Sequence, residues 1–247
     1  HGLYAEEVYA AFAFSAGEDS SIEIKGGKFT QNFGVAWDVA PGVYGTDFAE
    51  DYELAERIGI GGALTFDSEA IGETTLSAST FFKDTSVFSE SVIRNRGRTR
   101  FADGGPSNTE KPNSFAVALD GAPSGVPGLS YHISVARQAQ GQGDTAAENG
   151  VAAAAQYTAT AGAVEISPIL ELVYFDGAGG TAGVHQHYVT PGASVGWNGW
   201  NVTLSHTSRL THEASGADLH DAMVQVSAGY EFESGSTADV GYRWSNE

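Results

Sequence analysis

Residues 7–14 read Glu7-Val8-Tyr9-Ala10-Ala11-Phe12-Ala13-Phe14. Val8, Ala10, Phe12 and Phe14 share one parity and Glu7, Tyr9, Ala11 and Ala13 the other, and side chains two apart lie on one face of a strand. One face is apolar; the other is not. Working outward from this stretch, the same alternation returns in 58–66, 76–82, 115–119, 129–135, 151–157, 164–174, 189–197, 200–206, 224–232 and 238–244, with a short Ile22/Ile24 pair early in the chain. Period-two matching predicts about twelve strands.

The gaps between these runs alternate between short and long. Tight connections with hairpin chemistry fall at 17–20, 67–72, 120–128, 160–162, 198–199 and 233–236. Asn198-Gly199, between Trp197 and Trp200, is the sharpest, because both residues tolerate positive φ. Long polar segments fall at 27–54, 84–113, 138–150, 176–186 and 207–221. Short turns at one end and long loops at the other are how outer-membrane barrels are built. The expected fold is all-β, an antiparallel up-and-down transmembrane β-barrel, with 1–247 as a single domain. If the short turns are periplasmic, the run at 8–14 descends into the first turn and the last run ascends. Bacterial barrels start and end on the periplasmic side with an even strand count, so strands are expected beyond both ends, as part of a barrel of about 14 or 16 strands.

Composition sets further bounds. There is no Cys, which removes disulfides and thiolate metal sites; this suits a cell-envelope protein, and many cytosolic ones too. Apolar residues make up 41% and no run approaches about eighteen apolar positions, so a spanning helix is excluded. The formal charge of −19 argues against a nucleic-acid partner, since phosphate contacts need a basic footprint. The chain begins His1-Gly2 with no charged and apolar leader pattern, so any signal peptide is expected to have been removed already. No Gly-x-Ser-x-Gly, His-Glu-x-x-His or P-loop pattern is present, and the glycine-rich 177–183 precedes a strand-like run rather than a helix. Neither enzymatic activity nor a cofactor is expected.

The segment Gly26-Gly27-Lys28-Phe29-Thr30-Gln31-Asn32-Phe33-Gly34 resembles the Gly-Lys-Phe…Phe-Gly motif of porin O/P-like channels of Gram-negative outer membranes. The motif covers under a tenth of the chain, while the strand rhythm resembles porins throughout. The resemblance implies passive diffusion of small hydrophilic solutes or ions, contact with outer-membrane lipid and lipopolysaccharide, and a homotrimer. In that family and in general porins the third loop folds inward and narrows the barrel, with arginines on or near it. One strand before His1 would make 84–113 the third external loop. That loop carries Arg94, Arg96, Arg98 and Arg100, four of the twelve basic residues within seven positions. By resemblance these four line the pore constriction. A solvated basic tip, or one that binds acidic lipopolysaccharide groups or a neighbour, accounts for the same residues.

Charged residues on the non-apolar parity are expected to face the lumen: Glu7, Glu23, Lys25, Glu165, Glu171, Glu231, Asp239 and Arg243. Facing lipid would cost about 2–4 kcal/mol for Arg or Lys at mid-bilayer, and less for Asp or Glu. Phe66, Phe82, Tyr174, Trp197, Trp200, Phe232 and Trp244 sit at strand ends, suited to interfacial girdles or to ordinary strand packing. The segment 27–54 and its flank interleave Asp38, Asp47, Glu50, Asp51, Glu53 and Glu56 with Trp37, Tyr44, Phe48 and Tyr52. So many aromatics predict a packed segment, folded over the barrel mouth or latched onto a neighbouring subunit. Its carboxylates suit a hard cation such as Ca²⁺, but their spacing is not that of an EF-hand. His185 and His187 have a spacing that can ligate a transition metal, yet no third ligand sits at a fixed offset, and loop residues are expected. Two rival classes remain: a soluble all-β binding module, and a barrel enzyme whose Ser, His and Asp occupy wall positions that the sequence does not pair.

Overall fold

Each amide in a membrane-spanning wall needs a hydrogen-bond partner, and neighbouring strands supply it. The computed structural model describes residues 3–91 and 96–246. Its strands, in chain order, are β1 (Val8–Ser15), β2 (Ser20–Phe29), β3 (Arg57–Phe66), β4 (Glu73–Lys83), β5 (Ser114–Ala122), β6 (Leu129–Gln138), β7 (Glu148–Tyr157), β8 (Ala159–Ala161), β9 (Val164–Asp176), β10 (His185–Trp197), β11 (Trp200–His212), β12 (Asp218–Glu231) and β13 (Thr237–Ser245). All pairings are antiparallel between neighbours, and β8 prolongs β7 along β9, so the strands fill twelve positions of one sheet. Among the described residues no ladder joins β1 to β13.

Register carries parity round the wall. Val117 lies opposite Val135, Val135 opposite Val151 and Val151 opposite Tyr174, and all four side chains are exposed on the outer surface. The adjacent row, Ala116, Ala136, Gly150 and Phe175, is buried within. Phe12, Leu64 and Val226 are likewise exposed, while Gln225 and Ser227 on either side of Val226 are buried. A slip of one residue would exchange these two sets, so the apolar band fixes the register.

The tight turns occupy 16–19, 67–72, 123–128, 162–163, 198–199 and 232–236. Asn198 (φ 47°) and Gly199 (φ 82°) both take the positive φ that a two-residue type I′ turn demands. Beside this turn Trp197, Trp200 and Phe232 are exposed, and the Trp200, Tyr230 and Phe232 rings follow one another at 4.8 and 4.9 Å, as in an interfacial aromatic belt. The long connections occupy 30–56, 84–113, 139–147, 177–184 and 213–217. The last is much shorter than the expected 207–221. β11 and β12 continue pairing through Thr207, Arg209 and Thr211 opposite Met223, Asp221 and Leu219, beyond the level at which outward residues are apolar. Ladder bonding does not stop where the hydropathy pattern does. His206, His212 and His220 therefore belong to strands, and so do His185 and His187, which open β10.

The two faces of one strand pair should differ sharply in their tolerance of charge. Val226→Arg, on the outer face of β12, is expected to destabilise the folded protein in lipid vesicles by about 2–4 kcal/mol, with a far smaller loss for Ala63→Arg on the inner face of β3. Equal losses in a denaturant titration would contradict this assignment of faces.

Candidate lumenal site

Residues 30–56, between β2 and β3, turn inward and fill part of the lumen. The segment contains a four-residue helix, α1 (Ala36–Val39), and a 3₁₀ turn at Ala49–Tyr52. Phe33, Ala36, Ala49, Tyr52 and Leu54 are buried, packed with Ala116, Ala136, Ala152, Val173, Phe175 and Tyr188 from the inner faces of β5, β6, β7, β9 and β10. Alanine on the inner parity of β5 to β7 gives the segment its space. The molecule's apolar core therefore lies between this segment and the wall.

Three polar anchors hold the segment. At the first, the Glu171 carboxylate, fully buried on β9, accepts the Val35 N–H at 2.6 Å, the Ala36 N–H at 3.0 Å and the Tyr52 hydroxyl at 2.5 Å. These are two of the N–H groups that a helix start leaves unpaired, and three donors are what a buried carboxylate requires. Burial, and then the charge of Glu171, push the Tyr52 phenol well above its usual range, so it stays protonated and donates.

The second anchor is a relay on β5 and β6. Asp120 Oδ1 lies 2.7 Å from His132 Nδ1, and His132 Nε2 lies 2.8 Å from Ser134 Oγ. The Gly34 N–H donates to both His132 Nε2 (3.1 Å) and Ser134 Oγ (3.2 Å), and Asn32 donates to Asp120 Oδ2 (2.8 Å) and Ser77 Oγ (3.0 Å). When His132 Nδ1–H donates to Asp120 Oδ1, Nε2 is the acceptor for the segment.

The third anchor is on the opposite wall. Gln225 on β12 donates to the Pro41 carbonyl at 2.9 Å, and the Val43 N–H donates to Ser227 Oγ at 3.3 Å. Gly42 between them has φ +105°, and a Cβ there would strike the Gln225 amide, so the turn requires glycine. Arg209 on β11 pairs with Asp51 and with Asp221 (2.7 Å), and Arg243 on β13 pairs with Asp47. Fastened at β4 to β6, at β9 and at β11 to β13, the segment crosses the lumen.

Open space remains on both sides of it. A cavity of about 410 Å³ lies against β1 to β5, lined by Glu7, Glu23, Lys25, Gln31 and Trp37 among others. Another of about 240 Å³ lies beneath Val35 and Val39, beside Asp120 and His132. A third, of about 530 Å³, lies between Gly42 and the inner faces of β10 to β13, with Asp239 on its wall.

The residues singled out from sequence are distributed as follows. Glu171 is the first anchor, Arg243 holds Asp47, Glu7, Glu23 and Lys25 line the cavity of about 410 Å³, and Asp239 lines that of about 530 Å³. Glu165 and Glu231 are exposed near the turn end. Arg94 lies outside the described residues. Arg96 pairs with Glu56 at 2.5 Å and covers the Tyr4 ring, Arg98 Nε donates to the Thr85 carbonyl at 2.7 Å, and the Arg100 N–H donates to Asp103. Glu56 also binds buried Lys28, whose ammonium meets Asp84 (2.9 Å) and the Phe88 carbonyl (3.0 Å). These contacts place Arg96 and Arg98 near the loop ends of β2 to β4, and Arg100 against Asp103 of its own loop.

The segment 27–54, expected over the mouth or on a neighbour, lies inside instead, because its aromatics and alanines find their apolar partners on the inner wall. Its Asp47 and Asp51 are paired with arginines, and among the described residues no group of three or more ligands is set to hold a metal. His185 and His187 lie across from Asp176 and Tyr174, where the Tyr174 and His187 rings stand 4.8 Å apart. His132, Ser134, Asp120, Gln225 and Arg209 carry the site with Glu171 yet do not stand out in the sequence. Their one signal is parity: His132 and Ser134 are polar residues on the inner parity of an otherwise apolar run.

No protein-family model and no curated protein sequence matches the chain. Among solved structures, OmpT, an outer membrane protein of Vibrio cholerae in a trimer form, aligns over 98% of this chain and 81% of its own, with a TM-score of 0.53 at 8% identity. A porin aligns over 94% of this chain and 74% of its own, with a TM-score of 0.48 at 12% identity. The fold is that of an outer-membrane β-barrel.

Removing the Glu171 carboxylate strands two backbone N–H groups and a phenol, each costing about 1–3 kcal/mol if left buried and unpaired. Glu171→Ala is expected to speed amide exchange across 33–52 while β5 to β7 keep their protection. Unchanged exchange in that segment would show that Glu171 is not what holds it.

Proposed function

We propose that the protein is a diffusion channel of the Gram-negative outer membrane, passing small hydrophilic solutes or ions, with residues 30–56 as its constriction. One observation carries this reading: a segment pinned to several sides of the wall leaves open space beside it, with Glu7, Glu23, Lys25 and Asp239 on its lining. A segment serving only as a core would fill that space. The stretch Gly26 to Gly34, which resembles porin O/P-like channels, is where β2 passes into the constricting segment. The outward apolar band would meet lipid, with lipopolysaccharide at the loop end. A homotrimer is proposed by analogy with the trimer form of OmpT.

The test is conductance in planar bilayers. Wild-type protein should give discrete steps, and replacing residues 35–50 by a short Gly-Ser linker should enlarge each step. Absence of steps from refolded, heat-modifiable protein would count against a channel. Arg96→Gln together with Arg98→Gln is expected to leave the reversal potential in a low-salt gradient unchanged, in keeping with their contacts near the loop ends. A shift toward cations would return the arginines to the permeation path.

A second reading draws on the order Asp120, His132, Ser134, whose distances match those of a serine-hydrolase triad. Ser134 is only 1% exposed, and the Gly34 N–H occupies the space beside its hydroxyl. That favours an anchor over a nucleophile. A fluorophosphonate probe is expected to leave Ser134 unlabelled; labelling there would support the enzyme.

A further inference from the structure

At the loop-end rim four residues of the outer face stand opposite one another across four strands: Asp176 of β9, His185 of β10, His212 of β11 and Asp218 of β12. The two imidazoles are cross-strand neighbours, with a carboxylate outside each. Asp176 Oδ1 lies 3.2 Å from His185 Nδ1, which also meets the Tyr174 hydroxyl at 3.1 Å, and Asp218 Oδ1 lies 2.5 Å from His212 Nδ1. Both Nδ1 atoms are engaged, and among the described residues neither Nε2 has a partner. A histidine whose Nδ1–H donates to a carboxylate presents a lone pair on Nε2, the arrangement that backs metal-ligating histidines.

His187 supplies a third imidazole. Two residues along β10, it shares the face of His185, and its ring centre stands 5.7 Å from that of His212 with the planes at 89°. Two imidazoles on one tetrahedral ion stand about 5 Å apart, centre to centre, given metal–nitrogen bonds of about 2.0–2.1 Å. The spacing of His185 and His187 along the chain lacks a third ligand, and strand register provides it in His212. As they stand the three rings do not close on one point. The His185 and His212 side chains are 37% and 41% exposed, and Asp176 and Asp218 more so, which leaves rings and carboxylates room to turn together.

We propose that His185, His187 and His212 form a site for one divalent transition ion such as Zn²⁺, with Asp176 and Asp218 orienting two of the ligands. Three neutral imidazoles suit Zn²⁺, Cu²⁺ or Ni²⁺ and not Ca²⁺ or Mg²⁺, which take oxygen ligands. The fourth position faces outward and takes water. The bound ion ties β10 to β11 beyond the apolar band of Val189, Val202 and Leu204. The site is separate from the lumen and stands whether or not the lumen conducts.

The experiment is a calorimetric titration with ZnCl₂ of tag-free, refolded protein in detergent. The variants are His185→Gln, His187→Gln, His212→Gln, the Asp176→Asn/Asp218→Asn double variant, and His220→Gln, which removes an outer-face imidazole across Leu210 from His187. All lie on the outer face at the rim, so the fold is spared; heat-modifiable migration confirms it. Wild type should bind one Zn²⁺ per chain, more weakly as the pH falls from about 7.5 to about 5.5, because imidazole ligates only when neutral. Removing a carboxylate that orients a ligating imidazole costs about 10–100-fold in affinity, and removing the imidazole costs at least as much. The three single ligand variants and the double variant should show losses of that size, while His220→Gln binds as wild type does. Wild type without stoichiometric Zn²⁺ uptake, undiminished affinity in any of those four variants, or an equal loss in His220→Gln would overturn the site.

Discussion

A backbone amide in hydrocarbon has no water to turn to, and from that constraint the rest of this structure follows. Ladder pairing on both sides satisfies the amides of the strands between β1 and β13, and pairing fixes which residue stands opposite which. Once Val117 is opposite Val135, and Val135 opposite Val151, the alternate residues Ala116, Ala136 and Gly150 have to face inward. The wall's outer chemistry and the shape of its interior are thus decided together. Small residues inward mean room, and room inside a barrel is either water or protein.

Here it is both, and the division is electrostatic. Burying the Glu171 charge is costly unless the site supplies donors, and the segment 30–56 supplies three. The acidic composition of that segment is matched on the far side, where Arg209 and Arg243 receive Asp51 and Asp47. A wall carboxylate holds the segment's backbone, and wall arginines hold its carboxylates.

How much of this is legible in the sequence depends on the range of the interaction. Strands, tight turns and the outward parity are local matters: period two, Asn198-Gly199 and the apolar band display them directly. The upper parts of β11 and β12 escape notice because Thr207, Arg209 and Thr211 pair without alternating in hydropathy. The anchors escape for another reason. Glu171 reads as one more inward carboxylate until the fold brings Val35 and Tyr52 to it from 136 and 119 positions away. The arginine cluster shows the converse. Its density along the chain is conspicuous, but Glu56 and the Thr85 carbonyl, which bind Arg96 and Arg98, carry no mark of it.

The separation between partners also imposes an order of events on assembly. Each strand meets its neighbour across a short turn or a loop, so the wall can zip from contacts close in sequence. The constricting segment cannot: Val43 bonds to Ser227, 184 positions later, and Asp47 to Arg243, 196 positions later. Contacts so distant pay a large loop-closure cost unless the intervening chain is already in place. The Val43 and Asp47 contacts therefore form only once β12 and β13 are in place, so the far half of the segment is the last part of the interior to be furnished.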